Sequence, residues 1–218
     1  AHTCQRIVDV VLGALAPAVP KRVVAAANGA NTTAVFAGID PRTDRPYVYL
    51  ETLGGGVGGR PDRDGKDGVQ AHMTNTSNLP VEAIEMEYPL LVEAYGLVED
   101  SGGAGTYRGG LGLRRVVKPV DHDCTFNGVG ERFRHEPWGL FGGKPGKRGQ
   151  FQLIDGESHK KIADKSGDLT IVQGQSVMIE TPGAGGYGPP QRRTLALREA
   201  DKQSGKFSSA YLSQYEPL

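Results

Sequence analysis

Apolar residues recur at helical spacing in the first stretch of the chain. Ile7, Val8, Val11, Leu12 and Leu15 predict one amphipathic helix over 3–16, with Pro17 and Pro20 closing the pattern. The pattern then changes period. Ala34 to Ile39 reads as an extended run after the Asn28-Gly29 turn, and Tyr47 to Thr52 alternates as a half-buried strand does. Between them Asp40-Pro41-Arg42-Thr43-Asp44 is a turn, so the two runs are expected to form a hairpin. Pro80-Val81-Glu82 can start a short helix that Pro89 ends, and Leu90 to Val98 follows as a strand. Leu113–Val120 and Cys124–Val129 read as a strand pair across Asp121-His122-Asp123. Phe151–Ile154, Leu169–Val172 and Ser176–Glu180 are three more short strands, and the polar stretch after Gln191 is helical to about Lys202.

Glycine interrupts this pattern in runs. Gly54, Gly55, Gly56, Gly58 and Gly59 end the Tyr47 strand. Further glycine-rich loops span 100–112, 130–149 and 181–190, within a total of 32 glycines among 218 residues. Many tight loops favour strands over a helical bundle. The expected fold is α+β: a β-rich single domain with several short strands, one N-terminal amphipathic helix and long ordered glycine-rich loops. It covers 1–193, and 194–218 is a polar C-terminal tail.

Charge narrows the function classes. Twenty-five basic residues balance twenty-five acidic ones, so no global field draws nucleic acid or an anionic membrane, and no run is apolar enough to span a bilayer. Two isolated cysteines, Cys4 and Cys124, make neither a disulfide framework nor a metal cluster, which points to a reducing, cytoplasmic compartment. The Asn31 and Asn75 sequons are read as chance matches.

The glycines do not spell a nucleotide site. Gly146-Lys147 is followed by Arg148 rather than a hydroxyl residue, and Arg60-Pro61-Asp62 after Gly59 is turn-like where a dinucleotide fold needs a helix. His72 is the chief chemical candidate, because imidazole titrates near neutrality and Thr74, Asn75, Thr76 and Ser77 surround it with polar groups. Glu51 ends an apolar strand beside the glycines, where a carboxylate can act or simply be solvated. Arg132 and Arg134 can clamp a substrate carboxylate or phosphate, an exposed charge run being the plainer alternative. Lys144, Lys147 and Arg148 read as a solvated loop, His122 as part of a turn, and Trp138 as a loop anchor. No His, Asp and Glu spacing completes a metal site.

Taken in order, the strings CQRIVDVVLGAL, DPRTDRPYVYLETLGGGVGGR, DGVQAHMTNTSNLPVEAIE, YPLLVEAYGLVEDSGGAGTYRGGLGLRR, PWGLFGGKPG and TPGAGGYG closely resemble the C-terminal part of the hydantoinase B/oxoprolinase family, over roughly residues 3–192. The family holds ATP-dependent hydantoinase, lactamase and 5-oxoprolinase components and the large subunits of acetone and acetophenone carboxylases. The resemblance implies a cytoplasmic part of an ATP-dependent cyclic-amide hydrolase. A ketone carboxylase component and a noncatalytic assembly module are the alternatives. It also implies a hydantoinase A-like ATP-binding partner. The metal-bearing N-terminal hydantoinase B-like part is absent from this sequence, so ATP and divalent metal are expected on the partner parts and none on this chain alone. By the same resemblance, segments 51–59 and 72–82 wall a chamber for a small-molecule substrate. In it His72 transfers protons, Glu51 is a second catalytic candidate, and Gly54, Gly55, Gly56, Asn75 and Thr76 offer donors to a developing oxyanion, with Arg132 binding substrate.

Overall fold

The N-terminal helix buries its polar stripe and exposes its apolar one. In the computed structural model, which describes residues 2–216, helix α1 (His2–Leu15) has Gln5 and Asp9 buried, one helical turn apart, while Ile7, Val10, Val11 and Leu15 are exposed. On the inward side Gly13 lies against Trp138, where an added Cβ would stand 3.0 Å from the indole. The helix predicted from periodicity is there, with its faces reversed relative to an ordinary surface helix.

Nine strands form two antiparallel sheets. β1 (Thr32–Asp40) and β2 (Arg45–Leu53) make the expected hairpin, with the Asp44 amide donating to the Asp40 carbonyl at 2.9 Å. With β5 (Cys124–Val129) and β8 (Lys165–Ile171) they form a sheet of order β2-β1-β5-β8. The short helix α2 (Val81–Glu87) precedes β3 (Leu90–Leu97). That strand joins β4 (Leu113–Pro119), β6 (Gln150–Asp155), β7 (Ser158–Ile162) and β9 (Ser176–Glu180) in a second sheet of order β3-β4-β9-β6-β7.

The expected pairing of β4 with β5 does not form. Both flanks of β4 are taken by β3 and β9, and both flanks of β5 by β1 and β8, so the link through Asp121-His122-Asp123 carries the chain from one sheet to the other. Both strands still serve one core. Phe36, Tyr49 and Phe126 from the first sheet share a cluster with Val117, Phe151, Val177 and Ile179 from the second, and the Phe126 and Phe151 rings meet edge-on at 5.4 Å.

Cys124 sits in this core beside Tyr47, and burial pushes its thiol up to about 11. Cys4 is exposed on α1. At pH 8 only about one Cys124 in a thousand is thiolate. One thiol per chain should therefore react promptly with Ellman's reagent, and the second only on unfolding. Two prompt thiols would show that β5 opens.

The glycine segments lie against one another in extended form. The Asn28 and Ala25 amides donate to the Gly56 and Gly59 carbonyls, and the Gly56 and Gly59 amides to Pro182 and Gly185. In turn Gly183 and Gly186 donate to Lys147 and Lys144, and Ala184 and Tyr187 to Gly110 and Tyr107. Each pair of bonds is three residues apart on both partners, the periodicity of an extended helix with three residues per turn. Such a chain makes no internal backbone bonds, so its amides and carbonyls find partners on its neighbours.

The chain after Arg193 packs back on this bundle. Helix α3 (Leu195–Ser204) is capped by Thr194 at its start and by Gly205, φ 66°, at its end; α4 (Ser209–Leu212) follows. Phe207, Tyr211 and Tyr215 form a second apolar cluster with Ala104 and Leu111. Arg193 bridges Asp64 (2.7 Å) and Asp201 (2.8 Å), and Arg108 holds Asp67 at 2.8 Å. These buried charges are each matched by an opposite partner.

Candidate active site

Three distant segments meet at Asp9. Its Oδ1 lies 2.9 Å from His72 Nε2 and also accepts from the Ala27 amide at 3.3 Å; its Oδ2 accepts from Arg132 at 3.0 Å. The Asp9 side chain is almost wholly buried, while those of His72 and Arg132 keep a small exposed fraction (11% and 19%). Gln5, one turn earlier on α1, extends the cluster. It donates to the Ala71 carbonyl at 2.9 Å and to Thr74 at 3.0 Å, and accepts from the Asn31 amide. Asn31 in turn donates to Gln70 at 2.9 Å, and Gln70 to the Thr52 carbonyl at the end of β2.

The backbone is strained where the cluster is built. His72 and Arg132 both have positive φ, 62° and 56°, a conformation that side chains other than glycine seldom adopt. Gly29, φ 86°, makes the space. A Cβ there would stand 2.7 Å from Arg132 Cγ, so only glycine lets the guanidinium reach Asp9. Because Nε2 faces the carboxylate, the proton of the neutral imidazole belongs on Nε2 and the lone pair on Nδ1. Nδ1 makes no hydrogen bond among the described residues.

The other sequence candidates fall elsewhere. Glu51 is buried: Oε2 is held by Arg115 and by the Tyr49 hydroxyl at 2.5 Å, and Oε1 accepts from the Leu79 amide at 3.1 Å. Its carboxylate thus serves the β2 end, and Arg115 lies over the Tyr95 ring at 4.1 Å. Gly54, Gly55 and Gly56 do permit a close approach, but the protein's own chain makes it. Added Cβ atoms would meet Val69, Asn28 with Pro182, and Gly110 with Ala184, and the Gly55 and Gly56 amides donate to the Val69 and Pro182 carbonyls. Those two amides are therefore not free to serve an oxyanion. Asn75 and Thr76 are exposed; the Thr76 amide reaches Gln70 at 3.4 Å, and Thr74 is the hydroxyl that turns into the cluster.

Asp9, Gln5 and Thr74 are the site residues that the sequence reading passed over. The available signal was the spacing of Gln5 and Asp9, a polar pair one turn apart on a helix otherwise rich in Ile, Val and Leu. The donor set does not suit a divalent metal, because a guanidinium already occupies the second oxygen of the only carboxylate facing His72. No group of three or more His, Cys, Asp or Glu able to hold a metal occurs among the described residues. No helix among them is long and apolar enough to cross a membrane.

A two-sheet α+β sandwich, closed at one end by threefold glycine segments and carrying an outward apolar helix, defines a module built to pack against further protein. The chain belongs to the hydantoinase B/oxoprolinase family, whose profile matches residues 1–190. An uncharacterized protein of Methanocaldococcus jannaschii is 46% identical over 213 residues, 96% of this chain and 36% of the relative. 5-Oxoprolinase 1 of Arabidopsis thaliana is 37% identical over 189 residues, 85% of this chain and 14% of the relative. The crystal structure of the ATP-dependent caprolactamase from Pseudomonas jessenii superposes with a TM-score of 0.80 at 30% identity, over 93% of this chain and 36% of that one. The chain thus spans about a third or less of the length of these relatives.

Proposed function

We propose that this chain forms one wall of the reaction chamber of an ATP-dependent cyclic-amide hydrolase, with His72 as its proton-transfer group. The observation that carries this reading is the Asp9–His72–Arg132 cluster, in which a buried carboxylate fixes the imidazole ring and leaves Nδ1 to work. Nδ1 takes a proton from the attacking water as its oxygen bonds to the ring carbonyl carbon. The same proton then passes to the departing nitrogen, so the step balances without a further reagent. Arg132, already tied to Asp9, orients the carboxylate, whereas Asn75 and Thr76 stand exposed on the same segment to face substrate.

The rest of the chamber comes from other protein, a metal-bearing part and an ATP-binding part of the kind named in the relatives. The outward stripe of α1 is the docking face: Ile7, Val10, Val11 and Leu15 are all about half exposed or more, and full cover of such side chains is worth about 1.5–3 kcal/mol each. Replacing all four by serine or asparagine should abolish co-purification with those parts, and with it ATP-dependent ring opening of hydantoin, 5-oxoproline or a lactam. The circular dichroism of the isolated chain should hardly change, since the polar stripe that anchors the helix is untouched. Undiminished assembly of the fourfold variant would sink the reading.

A further inference from the structure

A separate cavity of about 450 Å³ opens beside the turn Pro20–Arg22, and its chemistry is that of an anion site. Lys21, Arg22 and Arg60 line it, and none of the three makes an ion pair among the described residues. The single carboxylate in its wall, Asp62, is bound at 2.7 Å by Arg63. Val23 and Val24 supply an apolar side.

The cations stand on fixed backbone. The Pro20 carbonyl accepts from the Tyr187 hydroxyl at 2.6 Å, the Ala25 amide donates to the Gly59 carbonyl at 3.0 Å, and the Arg60 amide closes its own turn on the Arg63 carbonyl at 2.9 Å. Gly58 lies directly on the Ala25 backbone, and this contact brings the Lys21–Arg22 turn and Arg60 to the same cavity.

We propose that this cavity binds a phosphorylated small molecule. Three unpaired cations against one carboxylate leave a surplus of two positive charges, which a phosphoryl dianion neutralises and a single carboxylate does not. The arginines supply the forked donors that phosphate oxygens take, and the valines can cover an attached apolar body. The site is distinct from the His72 cluster. Ala27, which binds Asp9, is four residues beyond Val23, at most about 13 Å along an extended chain. Failure of either proposal therefore leaves the other standing.

Titration of the whole 218-residue chain, followed by backbone amide chemical shifts, tests it. Inorganic phosphate and phenyl phosphate should give saturable shifts centred on residues 21–25 and 60–63. Arg22→Gln and Arg60→Gln should each weaken binding by about tenfold, while Lys161→Gln, in another basic cavity, should not. Tighter binding of phenyl phosphate assigns an organic phosphate as ligand, and equal binding assigns free phosphate; either supports the site. No saturation by about 20 mM, or shifts centred on Lys147, Arg148 and Lys161, would overturn it.

Discussion

Gly58→Ala should leave the chain unable to fold. A Cβ at this position would overlap the carbonyl of Ala25 and stand only 3.0 Å from the Ala25 Cα, so both obstacles are backbone. Neither segment can retreat. Ala25 is bonded through its amide to Gly59, and Gly59 through its amide to Gly185, so separating them breaks the glycine bundle in sequence. Overpacking that no side chain can relieve costs about 4 kcal/mol or more, against a total stability of about 5–15 kcal/mol for a typical domain. The control is Gly96→Ala. Gly96 lies on the exposed edge strand β3, where an added Cβ meets nothing within 4 Å, and stability should stay within about 0.5 kcal/mol. Urea unfolding of the two variants decides the matter: a native-like Gly58→Ala chain with an unchanged midpoint would contradict the packing described.

In the reassembled enzyme, His72→Ala should lower kcat by about 100-fold to 10,000-fold, the usual range for loss of a proton-transfer group. Asp9→Asn should lower kcat by about 100-fold with KM nearly unchanged, because Asp9 acts through the ring rather than on substrate. It also strands Arg132, so its thermal midpoint must be followed alongside its kinetics. His72→Gln avoids that problem by keeping Asp9, Arg132 and their ion pair. Thr76→Ala, exposed and outside the hydrogen-bonded cluster, should change kcat less than about threefold. Rates against pH complete the test, since loss of a titrating base should remove the acidic limb that the parent enzyme shows. Full activity in both His72 variants would reduce the cluster to a strut that fastens α1.

Residue patterns revealed where the elements lie better than what they touch. The β1–β2 hairpin was legible because its turn chemistry and alternation agree, and α1 because its apolar spacing is helical. Strand β7 was not. Ser158, His159, Lys160 and Lys161 are all exposed on a sheet edge, so no alternation marks them, and lysines suit an edge that must not pair further. Periodicity likewise could not say which face of α1 is buried, since that follows from Gln5 and Asp9 finding partners more than sixty residues away at Ala71 and His72. His72 was found from its polar neighbours, whereas Asp9 was hidden because a lone acid on a helix looks solvated. The glycines signalled close approach correctly; that the approaching chain is the protein itself is a tertiary fact.

The spacing of bonds in the glycine bundle sets a rule for how such a chain can change length. Each extended segment turns about 120° per residue, so inserting one residue between Gly56 and Gly59, or between Gly183 and Gly186, would point every later amide away from its acceptor. Insertion of three residues restores the phase. Segments 54–59, 101–110 and 181–188 therefore tolerate length variation only in triplets, and a single-residue indel there acts like a frameshift in the fold: everything downstream in that segment is read by the wrong neighbour.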